Sequence, residues 1–395
     1  MVSFDEAIDI IRSAVRPLGT ERIAVDEAGG RVLAAPVIAA IDSPRADVSA
    51  MDGYAIRSDD LGEYPVSLNL VGQSLPGKAW DGSVESGTCV RIFTGAPLPA
   101  GADRIVIQES IRREGDTAFI DTDPGSAAWV RRRGKDFRSG DELLAAGRLL
   151  DPAALIAAAG ADAAAVEVFA RPRLALLTTG DELVDPGQAR TSPLAVPDSA
   201  ALGVAALARQ WGADIVARTR LRDKLDAMEA AAADTLAESH LVVVIGGASV
   251  GERDFAKRMF EPLGLDLLFP KVSIRPGKPA WFGRIGETLV LGLPGNPTSA
   301  LVTARLLLAS LLAAMQGRPP EAALGWEPAR LGTPLPACDQ RETFHRASRA
   351  AGEVAPLGFQ ESHAQKALAD ADVLIRQTAN SAAVAAGEVV QVLRL

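Results

Sequence analysis

The sequence predicts a multidomain protein of the α/β plus β class, and three observations lead to this prediction. The chain has 395 residues, which is more than one ordinary hydrophobic core accommodates and indicates two to four domains. Over residues 173–316, apolar strand-like segments alternate with helical ones, which is typical of a mostly parallel sheet. Short β-rich segments between Gly, Pro and Asp turns occupy residues 50–138 and recur after residue 319.

The first part of the chain combines helix and strand. The segment MVSFDEAIDIIRSAVRPLG predicts an amphipathic helix that ends near Pro17, and RIAVDEAGGRVLAAPVIAA predicts strand and connector. After the β-rich residues, DELLAAGRLLDPAALIAAAGADAAAVEVF predicts a return to helix, with Asp151-Pro152 as the start signal and Gly160 as the stop. The β-rich part is therefore predicted to be inserted into a helical one.

Residues 173–316 are predicted to carry the ligand-binding sheet. Strands are expected in LALLTT, DIVARTR, LVVVIGG and TLVLGLPG, with the intervening helices on both faces of the sheet. In such a sheet, ligands bind beyond the carboxyl ends of the strands. The loops TTGDEL, IGGASVGERD and GLPGNPTS lie at those ends. The residues after 319 predict a small β domain that closes the chain.

The charge of the chain restricts its partners. The formal net charge of −9 leaves no broad basic face for a nucleic-acid backbone, so we expect no nucleic-acid partner. An anionic substrate would therefore need a local cationic pocket. The run VRRRGKDF, with Arg131 to Arg133 and Lys135, is one candidate, although so short a run is more often a solvated face.

Cysteine and histidine usage restricts the metal chemistry. Two cysteines far apart in the chain and three scattered histidines argue against a thiolate or imidazole metal site, so any metal is expected to be a hard cation held by oxygen. The N-terminal segment is unlike a secretory signal, and Arg305 interrupts the alanine-rich residues 300–313. We therefore expect a cytoplasmic protein with no membrane partner.

The segment IRPGKPAWFG is a candidate anion site. Pro276 and Pro279 hold the residues before them, Arg275 and Lys278, out of the helical region. In a polyproline-like stretch both cations would project from one edge, and Gly277 would let a ligand approach the backbone between them. The guanidinium and ammonium groups could then bind an oxyanion together. In isolation the stretch is more typical of a surface turn with solvated cations.

The loop IGGASVGERDF follows a predicted strand and leads into a helix. Gly246, Gly247 and Gly251 allow a tight turn whose amides, with Ser249, point at an anion near the helix N-terminus. The loop matches neither the Walker A motif nor GxGxxG. Taken alone, such a turn is as often plain structure as a binding site.

The loop GLPGNPTS is more specific. Pro294 and Pro297 stiffen the loop, Gly295 and Asn296 can adopt positive φ, and Ser299 can cap the long helix that follows. A good helix-starting turn would account for the second proline and the serine without any function. Such a turn accounts less well for the presence of two prolines, Pro294 and Pro297, in one loop.

Acidic residues are spread along the candidate loops. They are Asp52 in SAMDGYA, Asp181 and Glu182 in TTGDEL, Asp223 in LRDKL and Asp254 in GERDF. Of the adjacent pair in TTGDEL, one carboxylate is expected to face a ligand. The last two acids are each placed to cap a helix. Taken together, the acids are also suited to hold Mg²⁺ against phosphate oxygens.

Seven motifs together carry a resemblance to a known family. They are SPRADVSAMDGYAIRSDD, IFTGAPLPAGADRIVIQES, RRGKDFRSGDELLAAGRLL, RPRLALLTTGDELVDPG, IGGASVGERDFAKRMF, VSIRPGKPAWFG and LGLPGNPTSALV. In spelling and order they resemble the MoeA/gephyrin family of molybdopterin molybdenumtransferases, over nearly the whole chain.

The resemblance implies a particular architecture. A helical segment, an inserted β domain, a doubly wound molybdopterin-binding α/β domain and a C-terminal β barrel are expected. Family members form elongated homodimers whose active cleft lies between the α/β domain of one subunit and the inserted domain of the other. The expected boundaries are 1–22 with 42–49 and 139–168 for helical domain I, 23–41 with 50–138 for domain II, 169–318 for domain III and 319–395 for domain IV.

The resemblance also implies an activity. Members of the family take adenylylated molybdopterin and molybdate, cleave the phosphoanhydride with a divalent cation, and release AMP and molybdenum cofactor. The implied partners are a molybdopterin adenylyltransferase and client molybdoenzymes. The implied catalytic residues are Asp52, Thr94, Glu182, Asp223 and Asp254, of which the last three would hold Mg²⁺. The implied substrate-binding residues are Gly246, Gly247, Ser249, Gly251, Arg275, Lys278, Pro294, Gly295, Asn296, Ser299 and Arg341.

The chain departs from the family pattern at several positions. Arg275 stands where a lysine is usual, Ala200 replaces the asparagine of an Asp-Ser-Asn motif, and Ile245 replaces a serine. In the last domain, Gln365 and Lys366 align with a serine pair. These changes leave the acids intact but remove ligands for pterin and molybdate.

Three functions are open on the sequence. An active insertion enzyme would release AMP in the presence of molybdate. A paralogue that only binds or delivers molybdopterin or molybdenum cofactor, or serves as a scaffold, would bind the pterin without releasing AMP. An adenylyltransferase would form pyrophosphate from ATP. The retained acids favour the first, because chemistry needs them and simple binding does not.

Overall fold

The computed structural model describes residues 1–247 and 255–395. The chain forms two compact units. One comprises residues 1–21, 30–34 and 168–395, and the other comprises residues 22–29 and 35–167. The four-domain boundaries given above are finer than this division and stay a prediction.

The first 170 residues contain two helices and a series of short strands. The helices are α1 Phe4–Ala14 and α2 Pro152–Gly160. The strands are β1 Thr20–Ala24, β2 Val37–Ile38, β3 Val48–Ser49, β4 Gly53–Ile56, β5 Val66–Ser74, β6 Thr88–Ile92, β7 Arg104–Ile107, β8 Arg112–Glu114, β9 Thr117–Ile120, β10 Val130–Arg131, β11 Glu142–Leu144 and β12 Ala165–Phe169.

The insert is a β unit, as the sequence predicts. Six of its strands form one sheet in the order β7-β4-β6-β5-β9-β8, with a single parallel pair between β5 and β6. The predicted helix start and stop are confirmed, because Asp151 caps α2 by accepting a hydrogen bond from the Ala154 amide at 2.8 Å and the helix ends at Gly160. The flanking segments predicted as helix are instead strands β11 and β12.

The rest of the chain contains a large sheet with helices and a terminal set of strands. The helices are α3 Ser199–Gln210, α4 Leu225–Glu238, α5 Phe255–Arg258, α6 Pro297–Thr303, α7 Ala309–Met315 and α8 Gln365–Ala369. The strands are β13 Arg173–Thr179, β14 Leu183–Val184, β15 Val196–Pro197, β16 Asp214–Leu221, β17 Leu241–Ile245, β18 Asp266–Phe269, β19 Ile274–Arg275, β20 Trp281–Ile285, β21 Thr288–Leu293, β22 Glu327–Leu331, β23 Glu342–Ala350, β24 Glu353–Pro356, β25 Val373–Gln377 and β26 Val389–Arg394.

The large sheet is mixed and has the order β16-β13-β17-β21-β20-β18. The four strands predicted from the sequence, β13, β16, β17 and β21, are all mutually parallel. The two further strands, β20 and β18, run antiparallel at one edge. The predicted strands therefore end on the same side of the sheet, which places their following loops together.

Helices cover both faces of this sheet. Successive residues of a strand point to opposite faces, so neighbouring residues enter different cores. Leu176 and Val243 pack in a core with α1, α3, α6 and α7. Their neighbours Leu177 and Val244 pack in a second core with α4, around Met228. The doubly wound α/β arrangement predicted from the sequence is confirmed.

The last five strands form a closed barrel. Strand β23 pairs with β24 and β25, β22 pairs with β24 and β26, and β25 pairs with β26. Strand β19 adds to the barrel in parallel with β23, opposite Glu342 and Thr343. This pairing places Arg275, the last residue of β19, beside a barrel strand.

The N-terminal helix is fixed to the C-terminal barrel. Ser3 and Glu6 form a capping box that starts α1. Phe4 packs edge-on against Phe344 with ring centroids 5.2 Å apart. Asp5 accepts a hydrogen bond of 2.8 Å from the Arg376 guanidinium. The helix therefore packs against residues from the other end of the chain.

A buried arginine interrupts the long apolar helix. Among the described residues, one helix, Pro297–Met315, is long and apolar enough to cross a membrane, but 94% of its most apolar stretch is buried inside the fold. Arg305 lies in its π-helical turn and donates hydrogen bonds to the carbonyls of Arg394 at 2.7 Å and Ala323 at 2.8 Å. Burial lowers the pKa of Arg305 to about 10.

Replacing Arg305 with Met should destabilise the protein by roughly 2 to 4 kcal/mol, since it leaves two carbonyls without their buried cationic donor. Urea unfolding followed by circular dichroism measures the effect. The matched variant is Arg349→Met, whose ion pair with Glu327 is exposed and should change stability by less than about 1 kcal/mol. Equal midpoints for the two variants would show that Arg305 is not a stabilising contact.

Candidate functional site

A cavity of about 650 Å³ opens at the carboxyl ends of the parallel strands. We call it the acidic cavity, because its charged lining residues are Glu182, Asp198 and Asp223, and among its described lining residues there is no Lys or Arg. The ends of β13 and β17 and the loop after β21 complete it. This is the location that the sheet topology predicts for a ligand.

Glycines let the strand-end loops approach closely. A side chain at Gly246, where φ is +100°, would place its Cβ 2.7 Å from Thr179 Oγ1, and one at Gly247 would place it 3.1 Å from Ala256 Cβ. A Cβ on Gly295 would lie 3.3 Å from the Gly246 Cα. The close contact between these two loops therefore requires glycine at these positions, independently of any ligand.

The two adjacent acids of TTGDEL have different roles, as predicted. Glu182 lines the acidic cavity and lies close to Gly180, where an added Cβ would be 2.8 Å from its carboxylate. Asp181 accepts a hydrogen bond of 3.3 Å from the Asp223 amide. The prediction that Asp223 caps the next helix is wrong, because Lys224 holds the N-cap position of α4.

Three predicted residues, Ser249, Gly251 and Asp254, lie outside the described residues. Within residues 1–247 and 255–395, no group of three Asp, Glu, His or Cys side chains is arranged to hold a metal ion. Glu182 and Asp223 line one cavity. The metal set that includes Asp254 therefore stays a prediction.

Two polar residues of the acidic cavity, Asp198 and Ser199, are identified from the sequence only as the start of the altered Asp-Ser-Asn motif and are not predicted as site residues. Asp198 caps α3 and accepts a hydrogen bond of 2.9 Å from Thr178 Oγ1. Ser199 Oγ is buried in the cavity wall and has no hydrogen-bond partner among the described residues. An unpartnered buried hydroxyl is suited to bind a polar ligand. The Asp-Ser-Asn motif, with Ala200 in its third position, is the signal that could have identified them.

A second cavity, of about 600 Å³, lies between the large sheet and the barrel. We call it the cationic cavity, because Arg275, Lys278 and Arg341 line it. Asp339, which lies 3.8 Å from Arg275, and Glu361 also line the cavity, so three cations face two carboxylates and a positive excess remains. The structure thus brings together Arg275 and Lys278, which the sequence predicted to bind one oxyanion, and adds Arg341, which the resemblance implied as a substrate-binding residue.

The backbone of IRPGKPAWFG differs from the predicted polyproline stretch. Arg275 ends strand β19, its peptide bond to Pro276 is cis, and the next residues form a turn. Gly277 has φ +117°, and a Cβ there would lie 2.5 Å from Thr303 Oγ1. Gly277 also lines the cationic cavity between Arg275 and Lys278, so the approach of a ligand to its backbone stays a prediction. Glycine is required for packing against α6.

The loop GLPGNPTS also differs in detail. Asn296 holds the N-cap position of α6 with φ −66°, and Gly295 is outside the positive-φ glycines, so the predicted positive φ values are wrong. Ser299 lies inside the helix, 4% exposed, and does not cap it. Its place is instead in the wall of the cationic cavity, with Pro294.

The two cavities share part of their walls. Pro279, Pro294 and Asn296 line both. A ligand that spans this wall would meet cations at one end and carboxylates at the other. The first end is suited to an oxyanion and the second to a phosphate held through a divalent cation. This charge distribution fits a substrate with two different anionic groups.

In the inserted unit, the structure brings together the two predicted residues Asp52 and Thr94. Asp52 Oδ1 accepts hydrogen bonds from the Thr94 amide at 2.7 Å and from its hydroxyl at 2.8 Å. These bonds, the amide first, hold the pKa of Asp52 below its ordinary value. Asp52 is therefore a fixed carboxylate at neutral pH.

The basic run VRRRGKDF is used in part for ion pairs within the insert. Arg132 Nη1 lies 2.6 Å from an Asp47 carboxylate oxygen, and Arg133 pairs with Asp42. These pairs support the solvated-face interpretation of the run over an anion site.

Models of three protein regions match this chain in order. Residues 2–161 match the MoeA N-terminal region (domain I and II), residues 175–314 a probable molybdopterin binding domain, and residues 328–395 the MoeA C-terminal region (domain IV). The molybdopterin molybdenumtransferase of Haemophilus influenzae is 33% identical over 401 residues, covering 99% of this chain and 98% of that protein. The chain belongs to the MoeA family.

Other relatives agree with this assignment. A molybdopterin molybdenumtransferase of a Nostoc species is 36% identical over 316 residues, which are 78% of this chain and 71% of that protein. A crystal structure of a molybdopterin biosynthesis MoeA protein from Pyrococcus horikoshii has a TM-score of 0.81 at 27% identity, covering 100% of this chain and 99% of that one. The multidomain MoeA architecture predicted from the sequence is confirmed.

The departures from the MoeA family pattern fall into two groups. Ala200 and Ile245 are buried and line the acidic cavity, so they replace polar groups where a ligand would bind. Gln365 and Lys366 begin the short helix α8, and Lys366 pairs with Asp370 at 2.8 Å. Neither of the last two lines the described part of the cationic cavity.

Replacing Thr94 with Val should raise the pKa of Asp52 toward its ordinary value without restoring it fully, because the amide hydrogen bond remains. An NMR titration of the Asp52 carboxyl carbon measures this change. Replacing Thr88, whose hydroxyl donates to the carbonyl of Glu85, with Val is the control and should leave the pKa of Asp52 unchanged. An unchanged Asp52 titration in the Thr94 variant would show that the Thr94 hydroxyl does not lower the pKa of Asp52.

Proposed function

We propose that this protein is a molybdopterin molybdenumtransferase that inserts molybdenum into adenylylated molybdopterin and releases AMP and molybdenum cofactor. The observation that carries the proposal is the shared wall of Pro279, Pro294 and Asn296 between a cationic and an acidic cavity. A substrate that joins a phosphoanhydride to a molybdate-accepting group needs these two environments side by side.

The cationic cavity is proposed to bind molybdate. Arg275, Lys278 and Arg341 line it from strand β19, the following turn and the position just before β23. Arginine offers a planar fork of donors to two oxygens of a tetrahedral dianion, and lysine offers a mobile charge. Ser299 adds a small polar group to the same wall.

The acidic cavity is proposed to bind the phosphoanhydride together with Mg²⁺. Glu182 and Asp223 supply carboxylate oxygens, the donors that Mg²⁺ prefers, and the described lining offers no cation to balance a phosphate. Asp254 is the third proposed ligand. Bound Mg²⁺ would offset negative charge on the departing phosphate.

The protein's own residues would position the substrate beside the metal. Ser199 Oγ is free to donate to a ligand oxygen. Gly246 and Gly247 line the acidic cavity at the strand end, and Gly295 and Asn296 line it from the loop packed against them. Ser249 and Gly251 are proposed to complete the loop of Gly246 and Gly247. In the inserted unit, Asp52 and Thr94 are the remaining proposed catalytic residues.

Several finer features are part of the proposal. We propose a homodimer, a cytoplasmic location, substrate supply by a molybdopterin adenylyltransferase and transfer of the product to molybdoenzymes. Sedimentation velocity tests the first. The non-catalytic delivery function gains no support from the matched relatives, which are named as transferases.

Replacing Glu182 with Gln should reduce molybdate-dependent AMP release from adenylylated molybdopterin by at least about a hundredfold, because it removes a proposed metal ligand. Asp223→Asn and Asp254→Asn should behave alike. The matched control is Asp181→Asn, next in sequence but outside the cavity lining. The readout is chromatographic quantification of AMP with a fixed excess of Mg²⁺.

The control variant should keep activity within about threefold of the parent, since an asparagine oxygen still accepts the Asp223 amide. If the unaltered protein binds the pterin but releases no AMP, the enzyme proposal is wrong and a delivery protein is favoured. Full activity in Glu182→Gln would remove this residue from the metal site.

Replacing Arg275 with Ala should raise the molybdate concentration needed for half-maximal AMP release by about tenfold or more, since it removes a charged donor from the oxyanion. Arg275→Lys keeps the charge and should recover part of the loss. Arg284→Ala is the control, because its ion pair with Asp266 lies at the edge of the sheet. An unchanged molybdate dependence in Arg275→Ala would place the oxyanion elsewhere.

A further inference from the structure

His345 lies in the wall of the cationic cavity, although no proposed role uses it. His345 and Thr343 are alternate residues of β23, Arg341 lies one residue before the strand, and all three line the cavity. Alternate residues of a strand share one face, so the imidazole is on the same side of β23 as the proposed oxyanion ligand.

The neighbouring glutamine fixes which ring nitrogen carries the proton. Gln377 is 4% exposed, and its Nε2 donates to the Pro336 carbonyl at 2.8 Å. Its Oε1 therefore faces His345 Nε2, 2.8 Å away, as an acceptor. Neutral His345 must then hold its proton on Nε2, which leaves the Nδ1 lone pair without a hydrogen-bond donor among the described residues.

The charges around the imidazole are mainly positive. Burial lowers the pKa of His345, the hydrogen bond with Gln377 opposes this, and the charge of Arg275 lowers it further. Without a ligand, His345 is neutral near pH 7. The titratable and charged groups that line the same cavity are Arg275, Lys278, Cys338, Asp339, Arg341 and Glu361.

We propose that His345 takes up a proton on Nδ1 when a tetrahedral dianion enters the cationic cavity. This rests on the proposed function for the choice of molybdate as the dianion. The dianion reverses the local potential, so the protonated ring becomes favourable where it was unfavourable before. His345 then supplies a further positive charge to the cavity, and Gln377 holds the ring in place.

The sign of the pH dependence follows from this coupling. Below the pKa that His345 has in the complex, the proton is taken up and binding is strong. As the pH rises through that value the proton is lost, and molybdate affinity falls by up to about tenfold per pH unit. Molybdate itself remains a dianion over this range, so its own titration does not contribute.

The test is isothermal titration calorimetry of molybdate into the full chain near neutral pH, in two cationic buffers that differ in ionisation enthalpy. The parent protein should take up close to one proton per molybdate, and its dissociation constant should rise between about pH 6.5 and 8.5. His345→Gln should bind with no linked proton and a flat pH profile. His363→Gln, on an exposed histidine outside the cavity, should behave as the parent.

If His345→Gln no longer binds molybdate, the proposal is tested on the parent protein alone. Imidazole nitrogen NMR of His345 should show Nδ1 becoming protonated on molybdate addition. An unchanged Nδ1 signal, or proton uptake that persists in His345→Gln, overturns the proposal. AMP release is measured separately. Release without linked proton uptake removes the His345 role alone, whereas proton-linked binding without release removes the enzyme function alone.

Discussion

The contact between two strand-end loops is the constraint on which the candidate site depends. The Gly295 and Gly246 backbones lie so close that a methyl group on the first would contact the Cα of the second. Because of this contact, the loop after β21 lies against the end of β17 and forms a wall that serves two cavities. Any side chain at Gly246 would also strike Thr179, so the sheet edge tolerates only glycine there.

Charge is distributed unevenly on the two sides of that wall. The acidic cavity has carboxylates without cations among its described lining residues, and the cationic cavity has more positive than negative side chains. Such imbalance is unfavourable in a protein alone, because like charges repel where solvent screening is reduced. A metal ion on one side and an oxyanion on the other would neutralise both.

The sequence predicted the sheet because its strands are apolar runs whose alternate residues enter two cores, and such runs are visible without tertiary information. It predicted Glu182, Arg275 and Lys278 from motifs. It failed where distant residues decide local conformation. The turn at Gly277 depends on packing against Thr303, which the local sequence cannot reveal. Asp198 was not predicted as a site residue, although its motif was recognised, because helix capping is an ordinary role and its proximity to the cavity depends on the fold.

The attachment of α1 to the barrel has a consequence for synthesis on the ribosome. Asp5 and its partner Arg376 are 371 residues apart in the chain, and Phe4 packs on Phe344. Helix α1 therefore cannot complete the burial of its apolar face until strands β23 and β25 have been made. Residues 22–29 and 35–167 form their own compact unit and can fold during that interval. Helix α1 is thus among the last elements to reach its final position, although it is made well before the barrel.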